Sequence, residues 1–97
     1  MSEYHDRNGD AITADQWAAL FRDQAYKRVA SDELGDIFVS TVWLGLNHNF
    51  DPDGEPLIFE TMIFGGTHDE DQWRYSTEAE ALEGHAAAVL LASGGAA

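Results

Sequence analysis

Cysteine is absent from these 97 residues, so neither a disulfide scaffold nor a Cys-ligated zinc module can be built. Basic side chains are scarce. Five Lys and Arg stand against 18 Asp and Glu, for a formal charge of −13. Nucleic-acid binding is not expected, because neutralising phosphates needs clustered Lys and Arg. An anionic membrane surface is disfavoured for the same reason. No apolar run approaches the ~20 residues of a membrane span. The opening residues, from Met1 to Asp6, have neither a basic region nor an apolar core. No signal peptide is therefore expected, and a cytosolic setting is the default. No catalytic motif and no internal repeat stand out.

Core-forming material is plentiful by contrast. Three Trp, three Tyr and five Phe are present, and each aromatic buries roughly 150–250 Å². Disordered chains are poor in such residues, so a folded domain is expected despite the charge. The length fits a single domain over 1–97, with the Gly-rich stretch 93–97 expected to fray.

Turn and cap signals divide the chain. Asn8-Gly9 predicts a type I′ β-hairpin over Tyr4–Thr13. Thr13 with Gln16 matches a capping box, and Ala14, Trp17, Ala18, Phe21, Ala25 and Val29 share one helical face. These predict a helix from Ala14 to about Ala30. Ser31 to Asp36 reads as a polar link punctuated by Gly35. Residues 37–50 carry no formal charge and open with strong strand formers. Both alternating sets contain large apolar residues, which predicts a central strand. The Asp51-Pro52-Asp53-Gly54-Glu55-Pro56 segment is a turn, and a second strand over Leu57–Phe64 should pair antiparallel with the first. Thr67–Gln72 is an acidic loop and Trp73–Ser76 a short edge strand. Thr77 with Glu80 repeats the capping box, predicting a last helix from Glu78 to Leu91 with Ala79, Leu82, Ala86, Val89 and Leu90 as its apolar stripe. The fold class is therefore α+β. A small antiparallel sheet, made of the N-terminal hairpin, the central hairpin and an edge strand, packs with two helices.

Candidate sites are few. The Asp51-x-Asp53-Gly54-Glu55 segment lacks the 12-residue ligand spacing of an EF-hand loop, and Pro52 interrupts it. His5, His48, His68 and His85 show no HxH or HxxxH spacing, so no metal or cofactor is expected. His48, Asn49 and Asp51 lie toward one turn, and Glu60 stands on the neighbouring strand. A His–carboxylate pair there would supply a general base; the same residues also read as a polar cluster that closes a hairpin. No activated Ser or Cys accompanies them. Trp43 is either core or an interface hot spot. Two helices can leave part of the sheet open, so Ile37, Val39, Trp43, Met62 and Phe64 form a candidate interface with a partner or a second copy.

Several strings are distinctive together. They are Val39-Ser-Thr-Val-Trp-Leu-Gly-Leu-Asn-His-Asn-Phe50, Pro56-Leu-Ile-Phe-Glu-Thr-Met-Ile-Phe-Gly65, Tyr4-x-Asp-Arg-x-Gly-Asp10 and Arg74-Tyr-Ser-Thr-Glu-Ala-Glu-Ala-Leu-Glu-Gly-His85. The chain resembles a group of small proteins encoded by bacteriophages, especially those of actinobacteria, and by prophages. That resemblance spans most of the chain and implies a viral accessory protein in the cytoplasm of an infected bacterium. It brings no activity and no catalytic residues with it.

Three functions follow as expectations. The first is a non-enzymatic accessory protein that binds a host or phage protein through a sheet face with acidic surroundings. The second is an acidic mimic of nucleic acid that occupies a basic cleft. The third is a small hydrolase or ligand-binding protein using His48 and Glu60. The charge is uneven: residues 37–97 hold ten acids and one base. Acids around an uncharged strand suit a protein-binding surface, and they also suit plain solubility.

Overall fold

Both capping boxes form as the sequence predicts. The computed structural model describes residues 3–94. Thr13 Oγ1 accepts from the Gln16 amide at 3.1 Å, and Gln16 Oε1 accepts from the Thr13 amide at 2.9 Å. Thr77 and Glu80 repeat the exchange. Each pairing satisfies two amides that a helix start would leave orphaned. They open α1 (Ala14–Phe21) and the last helix, α3 (Glu78–Ala92).

The first helix is much shorter than the predicted Ala14–Ala30. Asp23 takes extended backbone and accepts from the Ala25 and Tyr26 amides, which starts a separate one-turn helix, α2 (Gln24–Lys27). The chain then becomes a strand, β1 (Arg28–Leu34), where a helix end and a polar link were expected. Helical spacing of Ala25 and Val29 suggested otherwise. Two features decide for the strand. Gly35, at φ +63°, occupies the first central position of a two-residue turn, where a type II′ hairpin needs glycine. The turn folds β1 back on the strongly strand-forming β2 (Ile37–Trp43), with Leu34 opposite Ile37 and Asp32 opposite Val39. Val29 is the extra residue of a bulge between Arg28 and Ala30.

Strands β3 (Phe59–Phe64) and β4 (Gln72–Tyr75) complete an antiparallel meander in the order β1-β2-β3-β4. With the helices it makes a small α+β fold. The expected N-terminal hairpin contributes no strand to this sheet. A single bridge, His5 with Ala11, closes the hairpin, and another, Tyr4 with Leu46, joins it to the segment that follows β2. Its loop has three residues instead of two, because Asp6 pairs with Asp10 and only Gly9 takes positive φ (+88°). Asp6 Oδ1 holds the loop by accepting from the Asn8 and Asp10 amides.

The predicted 37–50 strand stops at Trp43. Gly45 takes φ +72°, and a Cβ there would overlap the Trp43 ring and lie 2.6 Å from that of Trp17. That close approach lets the Trp17 indole donate to the Leu44 carbonyl at 2.9 Å. Beyond Trp43, pairing continues loosely: Leu44 N–H to the Ile58 carbonyl, and past the kink His48 N–H to that of Leu57.

Helices α1 and α3 lie on one side of the sheet, while α2 turns Tyr26 to that side and lines a groove on the other with Gln24 and Lys27. Trp43, Ile58, Phe59 and Ala81 form one buried cluster, flanked by Trp17, Leu20, Phe21, Tyr26 and Tyr75. Val39, Ile63 and Ala88 form a second under the far half of α3. The buried face of α3 is Ala81, His85 and Ala88, rotated from the predicted stripe; Leu82 and Leu90 are about half exposed. Close approach explains the rotation. The sheet supplies the bulk, so the helix presents its small residues, and at Gly84 a Cβ would overlap the Tyr75 ring.

Arg7 fastens the N-terminal loop to this layer. Its Nε donates to Glu78 Oε1 at 2.7 Å and its Nη1 to the Tyr26 carbonyl at 3.0 Å. Ser93 and Gly94, expected to fray, donate to the Val89 and Leu91 carbonyls; the rest of the predicted tail lies outside the described residues. Among the described residues no helix is long and apolar enough to cross a membrane.

Candidate binding surface on the open sheet face

Strand alternation and register define the surface that the helices leave open. On β2, Ile37, Val39, Thr41 and Trp43 point to the helices, so Phe38, Ser40 and Val42 point away. On β3 their partners are Phe64, Met62 and Glu60, and on β4 Gln72 and Arg74 continue the rows. On β1, Ser31 and Glu33 stand opposite Ser40 and Phe38, and Arg28 opposite Val42. Phe38 and Phe64 are 37% and 43% exposed, with ring centroids 6.1 Å apart. Beside them a shallow groove of about 200 Å³ is lined by Phe38, Ser40 and Val42 together with Gln24, Lys27 and Arg28.

The interface residues expected from the sequence therefore do not form one surface. Val39 and Trp43 are fully buried, and Ile37 packs with the second core cluster. Trp43 is core, with its indole N–H bonded to the His5 carbonyl. Met62 and Phe64 belong to the open face. The period-two pattern identified two apolar sets correctly but carried no information on which one α3 would cover.

The polar candidates separate as well. Asn49 and Asp51 close the turn: the Asn49 side-chain amide donates to the Glu55 carbonyl, Asn49 Oδ1 accepts from the Asp51 amide, and Asp51 Oδ1 from the Asp53 amide. Asn47 supports them by accepting from the Asn49 and Leu57 amides. Glu60 lies opposite Val42 and accepts from Arg74 Nε at 3.0 Å. His48 sits near this pair. Burial and the Arg74 charge hold its pKa below the usual histidine value, while Glu60 works the other way. The shift favours the neutral imidazole, and its neighbouring carboxylate is committed to arginine.

One arrangement escaped sequence reasoning. His85 Nε2 donates to Asp32 Oδ2 at 2.7 Å, and its Nδ1 meets Thr41 Oγ1 at 2.7 Å. Thr41 Oγ1 also meets Thr61 Oγ1 at 2.5 Å. A carboxylate only accepts, so Nε2 carries a proton; with a neutral ring, Thr41 donates to Nδ1 and Thr61 to Thr41. Carboxylate, imidazole and hydroxyl stand in the order of a nucleophilic triad. Both threonines are fully buried, however, and no substrate can reach them. The chain of bonds instead ties α3 to β1, β2 and β3 in one rotation and register. The stripe of small residues at Ala81, Gly84 and Ala88 is the sequence signal that could have placed His85 inward.

Among the described residues no group of three metal-ligating side chains gathers. No protein-family model, curated protein or solved structure matches this chain.

Proposed function

We propose that this protein is a non-enzymatic accessory protein that binds a protein partner through the open face of its sheet. One observation carries the reading: a four-stranded sheet covered on a single side, with Phe38 and Phe64 half exposed on the other. Contiguous exposed apolar surface is costly in a soluble chain and marks interaction sites. Glu60 is engaged by Arg74 and both Thr41 and Thr61 are sealed, which favours binding over acid–base chemistry at these residues. The resemblance to phage-encoded proteins supports a role in the cytoplasm of an infected bacterium.

The test is affinity capture from lysate of host cells that express the untagged chain, with tagged wild type and with tagged Phe64→Asp, at low and high salt. A species retained by the wild type at both salt levels and lost with Phe64→Asp is the expected result. Equal capture by both chains would refute the assignment of the face. Capture that collapses on raising salt would instead favour the nucleic-acid-mimic reading, since an apolar contact is weakly screened.

A further inference from the structure

We infer that the occupant of this face is a second copy of the chain, stacked sheet on sheet with the two-fold axis in the plane of the interface and across the strands. The inference rests on the binding role proposed above and names its partner.

The charge layout carries it. The chain bears −13, yet the open face holds Arg28 and Arg74 against Glu33 and Glu60, with Lys27 at the groove rim. It is a near-neutral window on an acidic molecule, where two like-charged copies can approach. Glu60 and Arg74 satisfy each other. Arg28 and Glu33 have no ion-pair partner among the described residues, and both are exposed. They occupy opposite ends of β1, about 16 Å apart at ~3.3 Å per residue, too far to meet within one chain.

A face-to-face pair can use two simple in-plane axes. An axis along the strands stacks β1 on β4 and sets Arg28 over the partner's Arg74. An axis across the strands stacks each strand on its own copy with the ends reversed. Glu33 then meets the partner's Arg28 at both ends of the interface. Phe38 lies over the partner's Val42, Met62 over Met62, and Phe64 over the Glu60–Arg74 pair, where the guanidinium suits an aromatic face. Only the second arrangement is self-complementary, as an isologous contact requires. Four strands ~4.8 Å apart and about six residues long present roughly 400 Å² per copy. That is about half of what each partner gives to a standard interface, so the dimer is weak and depends on concentration.

The experiment is sedimentation velocity across a concentration series, with circular dichroism as the check on folding. Wild type should shift from monomer to dimer at micromolar to submillimolar concentration. Glu33→Lys and Arg28→Glu, both at exposed positions outside the core, should each weaken dimerisation by about tenfold or more by opposing like charges. Mixed one to one, the two variants should dimerise again. In the mixed pair the two substituted side chains, now of opposite charge, face each other at one end of the interface, and the native Arg28 and Glu33 face each other at the other end. A monomer throughout the series would overturn the inference. So would singles that leave dimerisation unchanged, or a mixture that fails to restore it. If the chain is monomeric while Phe64→Asp still abolishes partner capture, the second copy is refuted and the binding role stands.

Discussion

Removing the hydroxyl of Thr41 should destabilise the fold far more than removing that of Thr61, and the second loss should partly repair the first. Thr41 is the hub of the buried hydrogen-bond chain, bonded to both His85 Nδ1 and Thr61 Oγ1. Thr41→Val keeps the shape but strands two buried polar atoms, a ring nitrogen and the Thr61 hydroxyl. Each costs roughly 1–2 kcal/mol, for a total of about 2–4 kcal/mol. Thr61→Val removes one bond and leaves Thr41 with its histidine partner, at about 1 kcal/mol. In the double variant no Thr61 hydroxyl remains to be orphaned. Adding Thr61→Val to Thr41→Val should therefore be neutral or stabilising, with a coupling of at least about 1 kcal/mol. Urea midpoints at constant m-value read all three quantities. Additive losses, or a double variant less stable than Thr41→Val by a full kcal/mol, would refute the hub.

Two further predictions test the neighbouring links. Gly45→Ala would need φ +72° and would drive a Cβ into the Trp43 and Trp17 rings; a loss of about 2–4 kcal/mol with a changed near-ultraviolet tryptophan signal is expected, and an unchanged melting midpoint would contradict the packing. The Arg7 clamp holds the Glu78 carboxyl below its ordinary pKa, chiefly through their hydrogen bond. A carboxylate with a depressed folded-state pKa adds stability above its unfolded value, and that stability fades as pH falls through the folded value. Arg7→Met should therefore cost about 1 kcal/mol at neutral pH, discounted for partial exposure. The difference from wild type should shrink when the urea midpoint is measured at strongly acidic pH, leaving only what the Tyr26 contacts supply. A gap of undiminished size there would refute the contribution of the Glu78 pair.

The acidic, base-poor character of the chain and its two capping boxes were legible from residues alone. So were the edge strand and the last helix, nearly to their ends, and the central hairpin, although its first strand ends at Trp43 and not at Phe50. Caps and tight turns are contacts among residues no more than four apart, so their chemistry is written in consecutive letters. The turn role of Asn49 and Asp51 is nearly as local, the longest of their contacts running from Asn49 to Glu55. Other features depended on partners distant in the chain. Residues 28–34 mix Arg28, Ser31, Asp32 and Glu33 with Val29, Ala30 and Leu34, and they become a strand because Gly35 returns them to β2. The rotation of α3 follows from the bulk of Trp43 and Phe59 beneath it, and from the room Tyr75 takes at Gly84. The two faces of β2 are equally apolar on paper. Only the seat of the helices makes Trp43 core and leaves Phe38 and Phe64 open to a partner. The His85 hydrogen-bond chain shows the same division most clearly: its four members span residues 32 to 85, and no spacing rule joins groups that meet only when a helix lands on a sheet.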